Sequence, residues 1–505
     1  MKKLFILLIY FSFLGKILAQ NSEMRGVWVA TVSNIDFPSK PNLPAEALKR
    51  EINDMLNFYQ NVGINAIFFQ ARPACDAFYK SKIEPLSQFL VGKQRMAKND
   101  DFDVLEYLIE QAHARNIELH AWLNPYRVSN SKKTSFDNFH IAKKQPNWVV
   151  EYAEKLYLDP GIPAVRHYVK EIVADIVSRY NVDGIHFDDY FYPYPERKQE
   201  FFDDASFDKY GKGMPVELKP NWRRKNVDSL IFLVHSEIKR LKPFVKFGVS
   251  PFGIWRNKTQ DPDGSETNGF SAYDGIFADA QMWLMNGWVD YVAPQIYWNI
   301  GHKNADFEIL VKWWKSHSYG KHVYVGMSVS SILTDKNNSA WQELSQIPNQ
   351  IRISRKYNEV KGIILYSSRA LVQNPNGVTD SLRDLFKTET AAPPMSWLDN
   401  IPPAAPISLQ QTKVKNEIIL SWEKGDTTSI PPQDSAVSFA VYRFKGEKPQ
   451  KIEKNSLVTL TKNRYIHIRN KKWAIFKKKY VYVVTAFDKN GNESILSRPI
   501  VMKIK

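Results

Sequence analysis

Asp188 and Asp189 sit side by side at the end of an apolar run, in the stretch VDGIHFDDYFYPY from Val182 to Tyr194. Two neighbouring carboxylates repel when both are ionised, so one is driven to keep its proton and becomes a proton donor beside a carboxylate. That combination is the equipment of acid/base cleavage at a glycosidic bond. A catalysis that uses both acids needs them roughly 5–5.5 Å apart for retention or about 6.5–9.5 Å for inversion. Adjacent residues on an alternating backbone point apart and satisfy neither, which leaves room for participation by an N-acetyl group of the substrate. On this alternation Asp188 belongs to a strand's inner face and Asp189 to the loop that follows.

Such acids need a fold that delivers them to an opening. Apolar runs of strand length alternate with helical patterns across 24–390. The strands are expected at 24–32, 64–70, 118–122, 184–188, 246–250, 291–297, 323–327 and 363–366. The helices are expected at 45–61, 102–115, 164–179, 227–241, 278–286, 307–317, 341–357 and 381–386. Eight such pairs predict an α/β fold, a (β/α)8 TIM barrel over 20–390, whose functional groups gather at the C-terminal ends of the strands. An open doubly wound sheet would place a glycine-rich phosphate turn after its first strand, and none is present.

Strand period two assigns the faces. Ile185 and Phe187 pack outward on helices, so His186 and Asp188 point inward. Leu119, Ala121 and Leu123 face out, leaving Glu118, His120, Trp122 and Asn124 inside in ascending order. Gln70 and Arg72 end the second inward row, Ser250 the fifth, and Gln295 and Tyr297 the sixth, with Trp298 at the rim. Glu118 enters low and reads as a structural acid. Burying this many polar groups without purpose is costly, and their convergence on one end predicts a substrate site. Trp122, Tyr126, Tyr190, Phe191, Tyr192, Trp255, Tyr297 and Trp298 offer flat surfaces for sugar rings. Arg72, Arg127, Arg223, Arg224 and Arg256 lie in loops at the same end, able to pair with the acids or with a substrate carboxylate.

The flanks of the barrel carry separate signals. MKKLFILLIYFSFLGKILAQ has two leading lysines, a short apolar core and Ala19 for cleavage, which predicts a signal peptide over 1–19 and no transmembrane anchor. Cys75, the sole cysteine, reads as a small buried residue. Residues 391–406 hold AAPP and IPPAAP, a proline-rich linker. The alternating runs of 407–505 predict a small all-β sandwich, and Tyr480–Ser497 resembles the last strands of fibronectin type III domains. Of the chain's formal net charge of +16, most lies in this segment, which has 20 lysines and arginines against 8 acids. Its clusters at Lys471–Lys472 and Lys477–Lys479 suit an anionic envelope surface or simple solubility, and no nucleic-acid motif accompanies them.

MRGVWVATVSNIDFP, GINAIFFQARP, ELHAWLNPYRVS, YLDPGIPAVRHYV, VDGIHFDDYFYPY, WRRKNV, KFGVSPFGIWRN and YVAPQIYW together resemble the bacterial glycosyl hydrolase-like 10 family. The resemblance implies an exported barrel acting on envelope glycans, with peptidoglycan strands stripped of peptides as the favoured substrate. A more distant likeness to family 18 chitinases matches Asp183, Gly184 and Asp188 to their DGxDxDxE strand. His186 then stands at an inner aspartate and Tyr190 where the acid glutamate belongs, so the proton donor is Asp189 or another loop carboxylate. The expected function is hydrolysis of a β-linked N-acetylated polysaccharide without a cofactor. Two other readings stay open, a non-catalytic wall-glycan binder and a metal-dependent hydrolase using His120, His186, Asp188 and Asp189.

Overall fold

The computed structural model describes residues 22–196, 199–415, 417–426, 431, 434–469 and 478–504. The leader at 1–19 and the lysines 471, 472 and 477 lie outside the described residues. Contacts divide the chain into a unit over 24–113 and 117–385, and a second that holds 386–505.

The larger unit is a closed barrel of eight parallel strands. They are β1 (Met24–Val29), β2 (Ala66–Arg72), β3 (Glu118–Leu123), β4 (Gly184–Phe187), β5 (Lys246–Val249), β6 (Tyr291–Val292), β7 (His322–Ser328) and β8 (Val360–Tyr366), paired in sequence order, with β8 closing on β1. The helices α1 (Ala45–Val62), α2 (Val104–Ala114), α3 (Pro163–Arg179), α4 (Lys219–Leu241), α5 (Ala280–Met285), α6 (Phe307–Ser316), α7 (Gln346–Ser354) and α8 (Val378–Leu385) follow them. Amphipathic spacing explains the packing: α1 buries Leu48, Ile52, Leu56 and Tyr59, and α3 buries Val165, Val169, Ile172, Val173 and Ile176. Gly63, at φ 89°, ends α1 in the left-handed region that a side chain disfavours.

Two expectations are revised. The sixth strand ends at Val292 rather than 297, because Pro294 has no N–H to give to a ladder. Gln295 re-enters only as an isolated bridge to Phe252 and Gly326. The loop after β3 carries a small antiparallel sheet of its own, formed by 127–129, 149–152 and 155–158.

A directional chain of hydrogen bonds fills the barrel's lower interior. The Trp28 indole can only donate, and it donates to His186 Nε2 at 3.1 Å. His186 therefore carries its proton on Nδ1 and gives it to Tyr291 Oη, 3.1 Å away. Tyr291 in turn donates to His120 Nδ1 at 2.9 Å, and His120 Nε2 donates to Glu118 at 3.2 Å. Lys246 closes the chain on both Glu118 oxygens, at 2.6 and 2.7 Å. Burial, then His120, holds His186 well below its ordinary range, so it is neutral. Burial pushes Glu118 up, but Lys246 and His120 outweigh it and the net shift is downward. Two glycines make room: a Cβ on Gly184 would strike the His120 ring, and one on Gly248 the Tyr291 ring.

The second unit contains two antiparallel sheets. One orders β9 (Ile407–Val414), β10 (Glu417–Glu423) and β13 (Tyr465–Arg469). The other orders β12 (Leu457–Thr461), β11 (Ser438–Lys445), β14 (Lys478–Phe487) and β15 (Ile500–Ile504). Ile418, Leu420, Trp422 and Ile468 from the first meet Phe439, Val441, Tyr482, Val484 and Met502 from the second in one core. No described helix of the chain is long and apolar enough to cross a membrane.

Candidate active site

The fourth strand leaves the ladder at Phe187, and Asp188 makes a last bond to Leu123 O at 3.4 Å. Alternation no longer applies beyond that point, so both acids turn inward. Asp188 is 6% exposed and Asp189 1%, so the residue expected to begin the loop is as buried as its neighbour.

Asp188 is held by donors. Asn124 Nδ2 reaches its Oδ2 at 2.9 Å, the Asp189 N–H reaches Oδ1 at 2.9 Å, and Gln295 Nε2 reaches Oδ1 at 3.3 Å. The orientation of these amides is set from below. Gln70 Oε1 accepts the backbone N–H groups of Thr31 and Val32, both at 2.9 Å, so its Nε2 must face Asn124 Oδ1, at 2.7 Å. Asn124 is thereby forced to present its N–H to Asp188. Gln295 is fixed likewise by donating to Ser250 O at 3.0 Å.

Asp189 is in the opposite state. Tyr194 donates to its Oδ2, while its Oδ1 is buried with no hydrogen-bond partner among the described residues. Burial first, and then the adjacent Asp188 charge, push the Asp189 carboxyl well above its ordinary value, against a smaller opposing pull from Tyr194. Asp189 is therefore the carboxyl held toward its protonated form.

Rings and one guanidinium surround the pair. Arg127 lies 4.6 Å above the Tyr190 ring, Tyr190 meets Tyr194 edge-on at 5.6 Å, and Tyr297 stacks on Tyr366 at 5.9 Å. Burial and the two aspartates raise the phenols of Tyr190 and Tyr194, and burial, Tyr366 and the aspartates raise Tyr297. Trp298 packs edge-on against Phe252 at 5.5 Å. The Trp122 indole N–H is buried without a partner among the described residues, a donor turned to no protein acceptor.

Several residues read from the sequence as substrate-facing lie elsewhere. Arg72 is fully buried, paired to Glu84 through two bonds of 2.8 Å and to Cys75. A bulge between Gln70 and Arg72 breaks the alternation that placed it inward. His120 and His186 belong to the axial chain, and neither is gathered with Asp188 and Asp189 as a ligand set among the described residues. Tyr126 is fully buried. Trp255 donates to Asp279 and stacks on Trp313, and Arg256 pairs with Asp261 and Asp274. Arg223 pairs with Asp203, and Arg224 lies over Tyr273. Burial pushes the Cys75 thiol up to about 12, leaving it inert.

Three residues at the mouth were absent from the sequence reading. Tyr194 stands in the FDDYFYPY loop itself, five residues after the Asp189 carboxylate to which it donates. Tyr366 ends β8. Asp36, half-buried and with its carboxyl raised by desolvation, accepts from Ala30 N, Ser367 Oγ and Arg369 N at 2.7–2.9 Å and so ties the loop after β1 to the end of β8.

The glycosyl hydrolase-like 10 family matches residues 23–343 of this chain, which takes in every strand of the barrel except β8 and the whole Asp188–Asp189 surround apart from Tyr366. The chain belongs to that family. It is 38% identical to glycosyl hydrolase YngK of Bacillus subtilis (strain 168) over 482 residues, covering 94% of this chain and 92% of that one. It is 37% identical to glycosyl hydrolase DigH of Escherichia coli (strain K12) over 371 residues, 69% of this chain and 83% of that one. Among solved structures it is similar to the PgaB (BpsB) glycoside hydrolase domain of Bordetella bronchiseptica, 13% identical, covering 72% of this chain and 99% of that one. The TM-score of 0.45 is too low to carry an argument. With the family comes the activity: the chain is a glycosidase.

Proposed function

We propose that this glycosidase cleaves β-linked N-acetylated glycans, with peptide-free peptidoglycan strands as the favoured substrate. The observation that carries the proposal is the contrast within the acid pair, one carboxyl buried and driven toward its protonated form, the other held by three donors. Asp189 gives its proton to the leaving glycosidic oxygen. Asp188, with its own orientation fixed, accepts the N–H of the substrate's acetamido group and turns the acetamido oxygen toward the anomeric carbon. A bond forms between that oxygen and the anomeric carbon as the glycosidic bond breaks. Water then attacks the same carbon, reopens the ring so formed, and returns a proton to Asp189. This route needs no carboxylate nucleophile at a set spacing, since the acetamido oxygen attacks instead, and with Tyr190 standing where family 18 chitinases carry their acid the proton comes from Asp189.

Tyr190, Tyr297 and Trp298 would stack against sugar rings, and the Trp122 N–H and Arg127 would bind hydroxyl or carboxylate oxygens. In this reading residues 1–19 direct export. The basic fibronectin type III-like unit over 407–505, joined through the linker at 391–406, lies against an anionic envelope. The test is release of reducing ends from purified peptide-free glycan strands by the wild type, Asp188→Asn and Asp189→Asn. Loss of release with retained glycan binding is expected in both variants, and undiminished release in both would overturn the assignment.

A further inference from the structure

The C-terminal unit holds a second set of acids, Asp434 and Asp488 buried and Asp399 half-buried, that plays no part in the chemistry above. Asp399 lies after the barrel, Asp434 before β11, and Asp488 directly after β14. One carboxylate oxygen from each lies within 4.8 Å of the others.

Two of the three are partly satisfied. Asp488 Oδ1 accepts the backbone N–H groups of Asn490 and Asn492 at 2.8 and 2.9 Å, and its Oδ2 accepts Asn492 Nδ2 at 2.8 Å. Asp399 Oδ2 accepts Asn490 Nδ2 at 3.1 Å and Asn492 Nδ2 at 2.9 Å, and its Oδ1 accepts Ile401 N at 3.0 Å. Asp434 differs. It is 1% exposed, and neither of its oxygens has a hydrogen-bond partner among the described residues.

A buried carboxyl with both oxygens unpartnered is costly, and a second and third acid beside it add to the cost. A proton would serve one oxygen of one acid. A cation between them would serve all three at once and complete Asp434.

The donor set selects the ion. Only oxygens converge, without sulfur or imidazole, so the site suits a hard cation. Three carboxylates from irregular segments suit calcium, which accepts 6–8 oxygens in flexible geometry, better than magnesium, which demands near-ideal octahedral order. We infer that the C-terminal unit binds one calcium ion through Asp399, Asp434 and Asp488, clasping three distant segments of the chain together.

The experiment uses the full chain, stripped with a chelator and titrated with calcium chloride by calorimetry. About one ion per chain is expected to bind to the wild type, and none to Asp434→Asn or Asp399→Asn. Hydrogen exchange supplies the location: calcium should slow exchange in peptides covering 395–405 and 484–500, and leave barrel peptides unchanged. In chelator Asp434→Asn should melt no lower than the wild type, since the charge it removes is uncompensated. With calcium the wild type alone should gain roughly 4–8 °C. Release of reducing ends by Asp434→Asn should match the wild type, so failure here and failure of the glycan assignment are read separately. Absence of calcium binding to the wild type up to about 10 mM, or binding that survives in both variants, would overturn the inference.

Discussion

The floor and the mouth of the barrel bury similar groups in opposite ways. At the floor, Trp28, His186, Tyr291, His120, Glu118 and Lys246 form an unbroken series in which each donor meets an acceptor and the one carboxylate meets an ammonium. At the mouth, two carboxyls meet each other, with no ammonium against them, and one oxygen of Asp189 is left without a partner among the described residues. Both ends are dry. The difference shows that burial alone does not make a reactive acid. What matters is which compensation has been supplied, a counter-charge at the floor and amide donors with one retained proton at the mouth.

The contrast is broken most completely by neutralising the mouth. Asp189→Asn removes the proposed proton donor and should lower the rate of glycan cleavage by about 10²–10⁴-fold, with Asp188→Asn at least as severe, while circular dichroism stays unchanged. The floor should respond in the other currency. Lys246→Met strands the Glu118 carboxylate, and urea unfolding should reveal a loss of about 3–5 kcal/mol with the rate per folded molecule preserved. Adding Glu118→Gln to that variant should recover part of the loss, because the stranded charge is then gone; no recovery would mean the pair is not the source.

A smaller effect tests the relay between the two levels. Gln70→Glu keeps an oxygen for Thr31 and Val32 but turns a second oxygen toward Asn124 Oδ1. Asn124 must then rotate its N–H away from Asp188. A drop of roughly 10–100-fold in kcat with KM nearly unchanged is expected, and a change confined to KM would place Gln70 on the substrate instead. The smallest effect is on stability. Asp189 has a higher pKa folded than unfolded, so the folded state binds more protons between those values. Stability is therefore lost as pH rises from the ordinary carboxyl value through the folded one. Asp189→Asn escapes that loss and should be more stable than the wild type by about 0.5–2 kcal/mol at pH 8, with the gain fading toward pH 4 in melting experiments.

Apolar periodicity located all eight barrel strands, because each is a short run whose outward side chains must pack on helices. The same rule identified the inward row Glu118, His120, Trp122 and Asn124, and with it the donor to Asp188. It stopped being informative where the ladder stopped. Arg72 follows a bulge, Asp189 follows the last residue of β4, and Trp255 and Arg256 stand in a loop whose partners, Asp279, Asp261 and Asp274, are chosen by tertiary contact. Tyr194, Tyr366 and Asp36 were illegible for a related reason. Each comes to the mouth from a strand end or loop, where direction depends on the closed barrel and on no local repeat. The contrast between the two acids also lay beyond the sequence, since the burial that raises Asp189 and the amides of Asn124 and Gln295 that reach Asp188 are both tertiary.

The one-way order of the axial series has a bearing on the chemistry above it. A relay that moves protons must be able to reverse, each member accepting on one side what it releases on the other. The Trp28 indole cannot reverse, since it has an N–H to give and no lone pair to receive with. Its acceptor, His186 Nε2, also lies 3.1 Å from the Ser250 hydroxyl, so any reversal at this nitrogen passes through Ser250 and not through Trp28.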